Sequence, residues 1–317
     1  MTPPTRKLVI LDTDPGVDDA LALLYLRASP TLRLLAITTV FGNADIDTTT
    51  RNALYLRDRF CTGVPVHRGA AAPLARPRGS SPVHVHGQNG LGDIELPPIM
   101  SRADPGVASQ QIVELVRAHP GLITLIAIGP LTNLALALRA APDIASLVAE
   151  VVVMGGAFGT GGKSGNVTPF AEANIHNDPE AADAVLAADW PVTLVGLDVT
   201  SLCVLTNAQA LELATSGGEV GRFVSDVSRS YAAAYGLHEG LEGCCLHDAA
   251  AVAYAIDPGP FETRRGVISV DLDDIRRGET RWDTRNCRPR QNVALSMNSE
   301  AIVSSVLHAF APVPDRS

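Results

Sequence analysis

The chain is poor in lysine: of its 25 basic residues only two, Lys7 and Lys163, are lysines. Chemistry that needs a Schiff-base lysine, or a lysine that grips phosphate, is therefore short of candidates. A basic excess is also missing. A net charge of −9 argues against a nucleic-acid partner, which wants a basic patch. No apolar run is long enough to span a bilayer and no signal peptide opens the sequence, so no membrane partner is expected and the expected location is cytoplasmic. The five cysteines, Cys61, Cys203, Cys244, Cys245 and Cys287, are odd in number and form no Cys-x-x-Cys. That pattern fits unpaired thiols in a reducing compartment, and neither a disulfide framework nor a zinc site. No internal repeat and no linker divides the 317 residues, which read as one domain, 1–317.

What is present is ample core material and one acidic signal. Hydrophobic residues make up 46% of the chain, enough to bury a large core. Residues 9–20 read VILDTDPGVDDA and place Asp12, Asp14, Asp18 and Asp19 within eight positions. Like charges this close repel, and a solvated loop gains nothing by collecting them. A divalent cation makes the cluster favourable. Helix capping and turn chemistry account for one or two of these residues, not four. The run before them reads as a buried parallel strand, Pro15-Gly16 as a turn, and Val17 onward as a helix. The carboxylates then lie at the carboxyl edge of a sheet, where open α/β folds bind ligands.

Apolar strand-like runs alternate with helical patterns: strands at 34–40, 64–66, 122–128, 151–154 and 192–197, with helices at 47–60, 131–139 and from Asp178-Pro179. Later helices read at 208–215, 220–235, 248–256 and 301–310, and late strands at 265–270 and 293–297. The alternation predicts an α/β fold, an open, mainly parallel sheet with helices on both faces. Two stretches, 68–104 and 155–177, read as long loops, which in a compact domain are usually functional.

The second of these loops holds Asn166, Glu172, Asn174, His176 and Asn177, side chains suited to the vicinal hydroxyls of a sugar. A polar loop making turns is the plainer reading. Asn43, after a strand end, either shapes a turn or orients a carboxylate or a sugar hydroxyl. Asp248 is either a helix N-cap or a metal-binding carboxylate. His247 is a proton donor or a polar residue at a helix start. Tyr231 and Tyr235 share a helix face, a spacing more often used for packing.

Together these strings resemble the nucleoside hydrolases, the inosine-uridine-preferring N-ribohydrolases. Residues 12–19 look like the family's N-terminal signature, and the likeness continues through 37–43, 129–133, 153–156, 171–181, 195–200 and His247-Asp248. The resemblance implies a Rossmann-like nucleoside hydrolase fold and one Ca2+ per subunit, held by Asp14, Asp19, Asp248 and the main-chain carbonyl of Ile128. It implies a ribose site of Asp18, Asn43, Asn166, Glu172 and Asn174, with Met154 beneath the sugar. It implies that Asp14 takes a proton from a calcium-bound water that attacks the anomeric carbon. His247 then assists the departing base, with Tyr231, Tyr235 and His86 as further candidates. Ala173 stands where some members carry an aromatic, which loosens stacking on a purine, and uridine and inosine become the favoured substrates. A homo-oligomer, tetramer or dimer, is also implied. Two other readings use the same residues: a metal-dependent phosphohydrolase of haloacid-dehalogenase type, which also opens on Asp-x-Asp, and a nucleoside-binding protein without turnover.

Overall fold

The computed structural model describes residues 6–160, 162–285 and 287–311. The first half alternates strand and helix: β1 (Lys7–Thr13), α1 (Val17–Ala28), β2 (Leu32–Thr39), α2 (Ile46–Phe60) and β3 (Val66–Arg68), then a short α3 (Val83–His86), α4 (Ala108–Ala118), β4 (Ile123–Ala127), α5 (Thr132–Ala140) and β5 (Glu150–Met154). The second half runs α6 (Ala173–Asn177), α7 (Pro179–Ala187), β6 (Val192–Val195), α8 (Leu197–Thr200), β7 (Val204–Thr206), α9 (Asn207–Ser216) and α10 (Gly218–Glu239). It closes with β8 (Gly243–Cys245), α11 (His247–Ile256), β9 (Phe261–Val270), β10 (Thr280–Trp282), β11 (Arg290–Met297) and α12 (Ser299–Phe310).

Nine strands form one sheet in the order β10-β9-β11-β6-β5-β4-β1-β2-β3. All neighbours from β11 to β3 are parallel, and β9 runs antiparallel to β11 and β10 at one margin. Alternate side chains feed two cores. Val9, Leu11, Ile126 and Val152 pack with α1, α2, α10, α11 and α12. Ile10, Leu125, Val151 and Val153 pack with α4, α5 and α7 on the other face. Strands buried on both faces explain the near-continuous apolar runs in the sequence.

The chain leaves β1 towards β2 and β3, then returns to β4 on the opposite side of β1. Strand order therefore reverses between β1 and β4, and the crevice beyond their carboxyl ends is the place for a ligand. Register brings the ends level, with Asp12 beside Thr38 and Ala127. The segments 13–16, 40–43 and 128–130 meet there.

Several elements differ from the sequence expectation. The stretch 68–104 contains the helix α3, and α6 closes the stretch 155–177. Leu197 begins helix α8 instead of ending a strand. Helix α10 spans 22 residues and is longer at both ends than its periodic core. Helix α4 and the three-residue strands β7, β8 and β10 lay in stretches with no assigned element.

Candidate active site

Glycine and proline turn the chain sharply after β1, so α1 starts with Asp18 and Asp19 in its first turn. Negative charge there is favoured by the helix macrodipole. Asp19 is held through both oxygens: Oδ1 accepts from Thr13 Oγ1 (2.5 Å) and Asp14 N (3.2 Å), and Oδ2 from Gly16 N (2.9 Å) and Asn43 Nδ2 (2.9 Å). Asp14 Oδ2 accepts from Asn43 N at 2.7 Å. Asn43 thus orients two carboxylates, which goes beyond shaping a turn. Asp14 Oδ1 and Asp18 Oδ1 are buried and have no hydrogen-bond partner among the described residues. Gly129 permits this approach, since a Cβ there would stand 2.6 Å from Asp14 Oδ1.

Asp248 joins from α11. Oxygens of Asp18, Asp19 and Asp248 lie within 4.8 Å of one another. The N-cap of α11 is Leu246, with no side-chain cap, so Asp248 is not a capping residue. Burial drives the affinity of these carboxyls for protons upward, and their neighbours add to it. Asp14 is raised well above its usual value, Asp18 to about 8, and Asp248 well above normal with Asp18, Asp19 and Asp14 contributing. Two charges about 4 Å apart repel by about 4 kcal/mol at an effective dielectric near 20. A cluster of hard oxygen donors with two orphaned atoms suits Ca2+, which takes six to eight oxygens, better than a soft-ligand metal.

Asp12 plays a different part from the other three. Its Oδ1 accepts from Thr38 Oγ1 (2.6 Å) and Asn133 Nδ2 (2.8 Å), and burial pushes its carboxyl up to about 7. Asn133 also donates to Thr39 O (2.9 Å) and accepts from Ala70 N (3.0 Å). Asp12 and Asn133 form a strut that ties β1, β2, α5 and the chain after β3 together beneath the site.

The other wall comes from β5 and α6. Glu172 caps α6, accepting from Asn174 N (2.8 Å) and Ile175 N (3.1 Å), and also from Gly156 N (3.1 Å). Burial raises its carboxyl to about 6. Asn174 Nδ2 donates to the carbonyls of Ile128 and Met154, both at 3.0 Å, and Met154 is buried at the end of β5. The Ile128 carbonyl keeps a second lone pair. Asn166 is exposed and its Oδ1 accepts from Ala173 N at 3.0 Å, so part of this loop does make turns.

The third wall is aromatic. His86, carried by α3, accepts from Val17 N through Nδ1 (3.2 Å) and stacks on Tyr231 with ring centroids 5.2 Å apart. Tyr231 meets Tyr235 edge-on at 5.0 Å, with hydroxyls 3.5 Å apart. The Tyr235 hydroxyl lies 2.7 Å from His247 Nε2, and His247 Nδ1 lies 2.7 Å from Thr200 Oγ1. Burial, with the charge of Lys163, holds the His247 imidazole down to about 3, and burial does the same to His86. The two tyrosines therefore belong to a polar chain as well as to packing.

Sequence reasoning missed several supports: Thr13, Thr38, Asn133, Thr200, and Asp198, which accepts from Phe158 N (2.8 Å) and Thr160 N (2.6 Å). The signal available was a set of small polar residues at the ends of β1 and β2 and in the first turn of the helices that follow β4 and β6, where core residues would otherwise be apolar.

The fold and site define an α/β enzyme with an acidic, oxygen-lined centre at its switch point. The family model described as inosine-uridine preferring nucleoside hydrolase matches residues 9–304. The chain belongs to that family and is an N-glycosyl hydrolase acting on ribonucleosides. Uridine nucleosidase 1 of Arabidopsis thaliana is 39% identical over 279 residues, covering 87% of this chain and 81% of that protein. The inosine-uridine preferring nucleoside hydrolase of Crithidia fasciculata is 38% identical over 316 residues, covering 98% and 99%. The structure of a purine-preferring ribonucleoside hydrolase from Gardnerella vaginalis matches with a TM-score of 0.91 at 33% identity, covering 96% of this chain and 98% of that one. Membership displaces the phosphohydrolase and binding-only readings. Among the described residues no helix is long and apolar enough to cross a membrane.

Proposed function

We propose that this enzyme cleaves uridine and inosine to ribose and free base in a Ca2+-dependent reaction, as a homo-oligomer. The observation that carries the reading is the convergence of Asp14, Asp18, Asp19 and Asp248 with Asn43, Glu172 and Asn174 at one crevice. Asp14, Asp19, Asp248 and the Ile128 carbonyl would hold the ion. Bound there, Ca2+ would acidify a water and take two ribose hydroxyls as ligands.

The chain's own residues do the rest. Asn43 fixes one oxygen of Asp14, and the other is free to take a proton from the attacking water. Asp18, Asn43, Asn166, Glu172 and Asn174 bind the sugar hydroxyls, and Met154 packs beneath the ring. Positive charge grows on the sugar as the base leaves, as in other glycoside cleavages, and the surrounding carboxylates favour it. The neutral imidazole of His247 acts as a relay, gaining a proton at one nitrogen as it loses one at the other. The base meets this relay at Tyr235, with Tyr231 and His86 against its face.

Two outcomes check the proposal. Free base is followed chromatographically over a panel of ribonucleosides and their 2′-deoxy counterparts. Loss of one hydrogen bond to a charged group is worth about 1.5–3 kcal/mol, so the deoxy set is expected to fall in kcat/KM by about ten- to a hundredfold. Equal rates for both sets would remove the diol contacts. For the relay, His247→Ala is expected to slow inosine and uridine by about a hundredfold or more, and p-nitrophenyl riboside far less, because p-nitrophenolate leaves without a proton. Tyr235→Phe is expected to shift rates in the same direction. Equal losses on both substrate types would exclude His247 from proton delivery.

A further inference from the structure

One of the two lysines sits at the rim of this pocket. Tyr231, Tyr235 and Glu239 follow one another at four-residue spacing in α10 and so share a face of the helix. Tyr231 and Tyr235 form the aromatic wall. Glu239, one turn further on, accepts from the ammonium of Lys163. Lys163 belongs to the segment between β5 and α6, three residues before Asn166. Asp198 pins the start of that segment through Phe158 and Thr160, and its end is pinned where Ala171 bridges to Glu279 and Asn166 Oδ1 accepts from Ala173 N at the start of α6. Between these anchors, Lys163–Glu239 is the one ion pair or hydrogen bond among the described residues that joins the segment to α10. Each side chain is 36% exposed, so the pair lies at the surface, one helical turn beyond Tyr235 and the aromatic wall.

The choice of residue fits a contact that opens. The chain uses arginine for all but two of its basic positions. Arginine grips a carboxylate with a rigid two-point fork, whereas lysine offers a point charge on a flexible stem. A segment that must part to admit a nucleoside is better held by the second.

We propose that the Lys163–Glu239 ion pair is a clasp that closes the base end of the pocket, holding the Asn166 segment against α10 and so setting how tightly nucleosides bind. The proposal rests on the nucleoside hydrolase reading of the pocket. Lys163 and Glu239 are positioning residues here and touch no reacting atom.

The test compares the parent enzyme with Lys163→Met, Glu239→Gln and the charge swap K163E/E239K. A partly exposed pair is worth little, so the single variants are expected to raise KM for uridine and inosine by about two- to fivefold, with kcat changing less. KM of the parent is expected to rise with ionic strength, and that of the single variants to stay flat. The swap is expected to recover most of the loss. Amide exchange in the peptide 162–171 of the free enzyme is expected to quicken in both single variants and slow again in the swap. Unchanged KM and unchanged exchange in the single variants overturn the clasp. Exchange is read without substrate, so it decides the clasp even for an enzyme that leaves nucleosides intact. A parent that fails to cleave nucleosides counts instead against the proposed function.

Discussion

Asp14→Asn is expected to lower nucleoside hydrolysis by about a thousandfold or more, within or above the range for loss of a positioned general base. The amide keeps the size of the side chain and can still accept from Asn43 N, which now reaches Asp14 Oδ2 at 2.7 Å. It cannot take a proton. Folding is expected to survive, because the substitution removes a negative charge from a pocket already crowded with Asp18, Asp19 and Asp248. The metal-free variant should therefore melt no lower than the metal-free parent, the usual opposition between stability and activity at a charged site. Steady-state turnover and thermal melts of both proteins, with far-ultraviolet circular dichroism, supply the measurement. Retained turnover in a folded Asp14→Asn protein would falsify the assignment of Asp14 as the base.

Chelation is expected to have an effect as large. Enzyme stripped with EGTA, and confirmed metal-free by elemental analysis, should lose hydrolysis and regain it on addition of Ca2+. Zn2+ should restore little, since the cluster offers carboxylates and carbonyls but no thiolate or imidazole ligand in its first circle of donors. Binding to the native state alone stabilises it by about 2.7 kcal/mol at a hundredfold excess over the dissociation constant. In a chain of this size that corresponds to a rise of several degrees in Tm. Full activity in the stripped protein would remove the ion from the reaction.

Much of this site was visible in the sequence because its parts lie at strand ends with strong local patterns. The run into Asp12-Thr13-Asp14 reads as a buried strand, and Pro15-Gly16 announces the turn that delivers Asp18 and Asp19. What the residue pattern alone, without the family resemblance, could not do was divide the four carboxylates. Asp12 and Asp14 look equivalent as letters, and each has one oxygen held and one without a partner among the described residues. Asp12 is held by the Thr38 and Asn133 side chains beneath the site, whereas Asp14 is held by the Asn43 main chain, with its own main chain donating to Asp19. Only the register of β1 against β2 separates them. The aromatic wall was legible in part. The spacing of Tyr231 and Tyr235 placed them on one face, but His86 reaches Tyr231 from a four-residue helix far upstream, which no local pattern reports. Strands β7, β8 and β10 are too short to show alternation. Helix α4 buries Ala108, Ile112, Val113 and Val116, a helical spacing too short to stand out after the proline- and glycine-rich stretch that precedes it.

The margins of the nine-stranded sheet have a consequence for how copies of the enzyme can meet. The outermost strands, β3 and β10, are each three residues long. Among the described strands they cover only Ile268–Val270 of β9 and Ile37–Thr39 of β2, so β9 runs on as a bare margin from Phe261 to Gly266, where exposed Glu262, Arg264 and Arg265 discourage a neighbour from adding a strand. An edge crowded with charge is a poor template for endless lateral growth of strand upon strand.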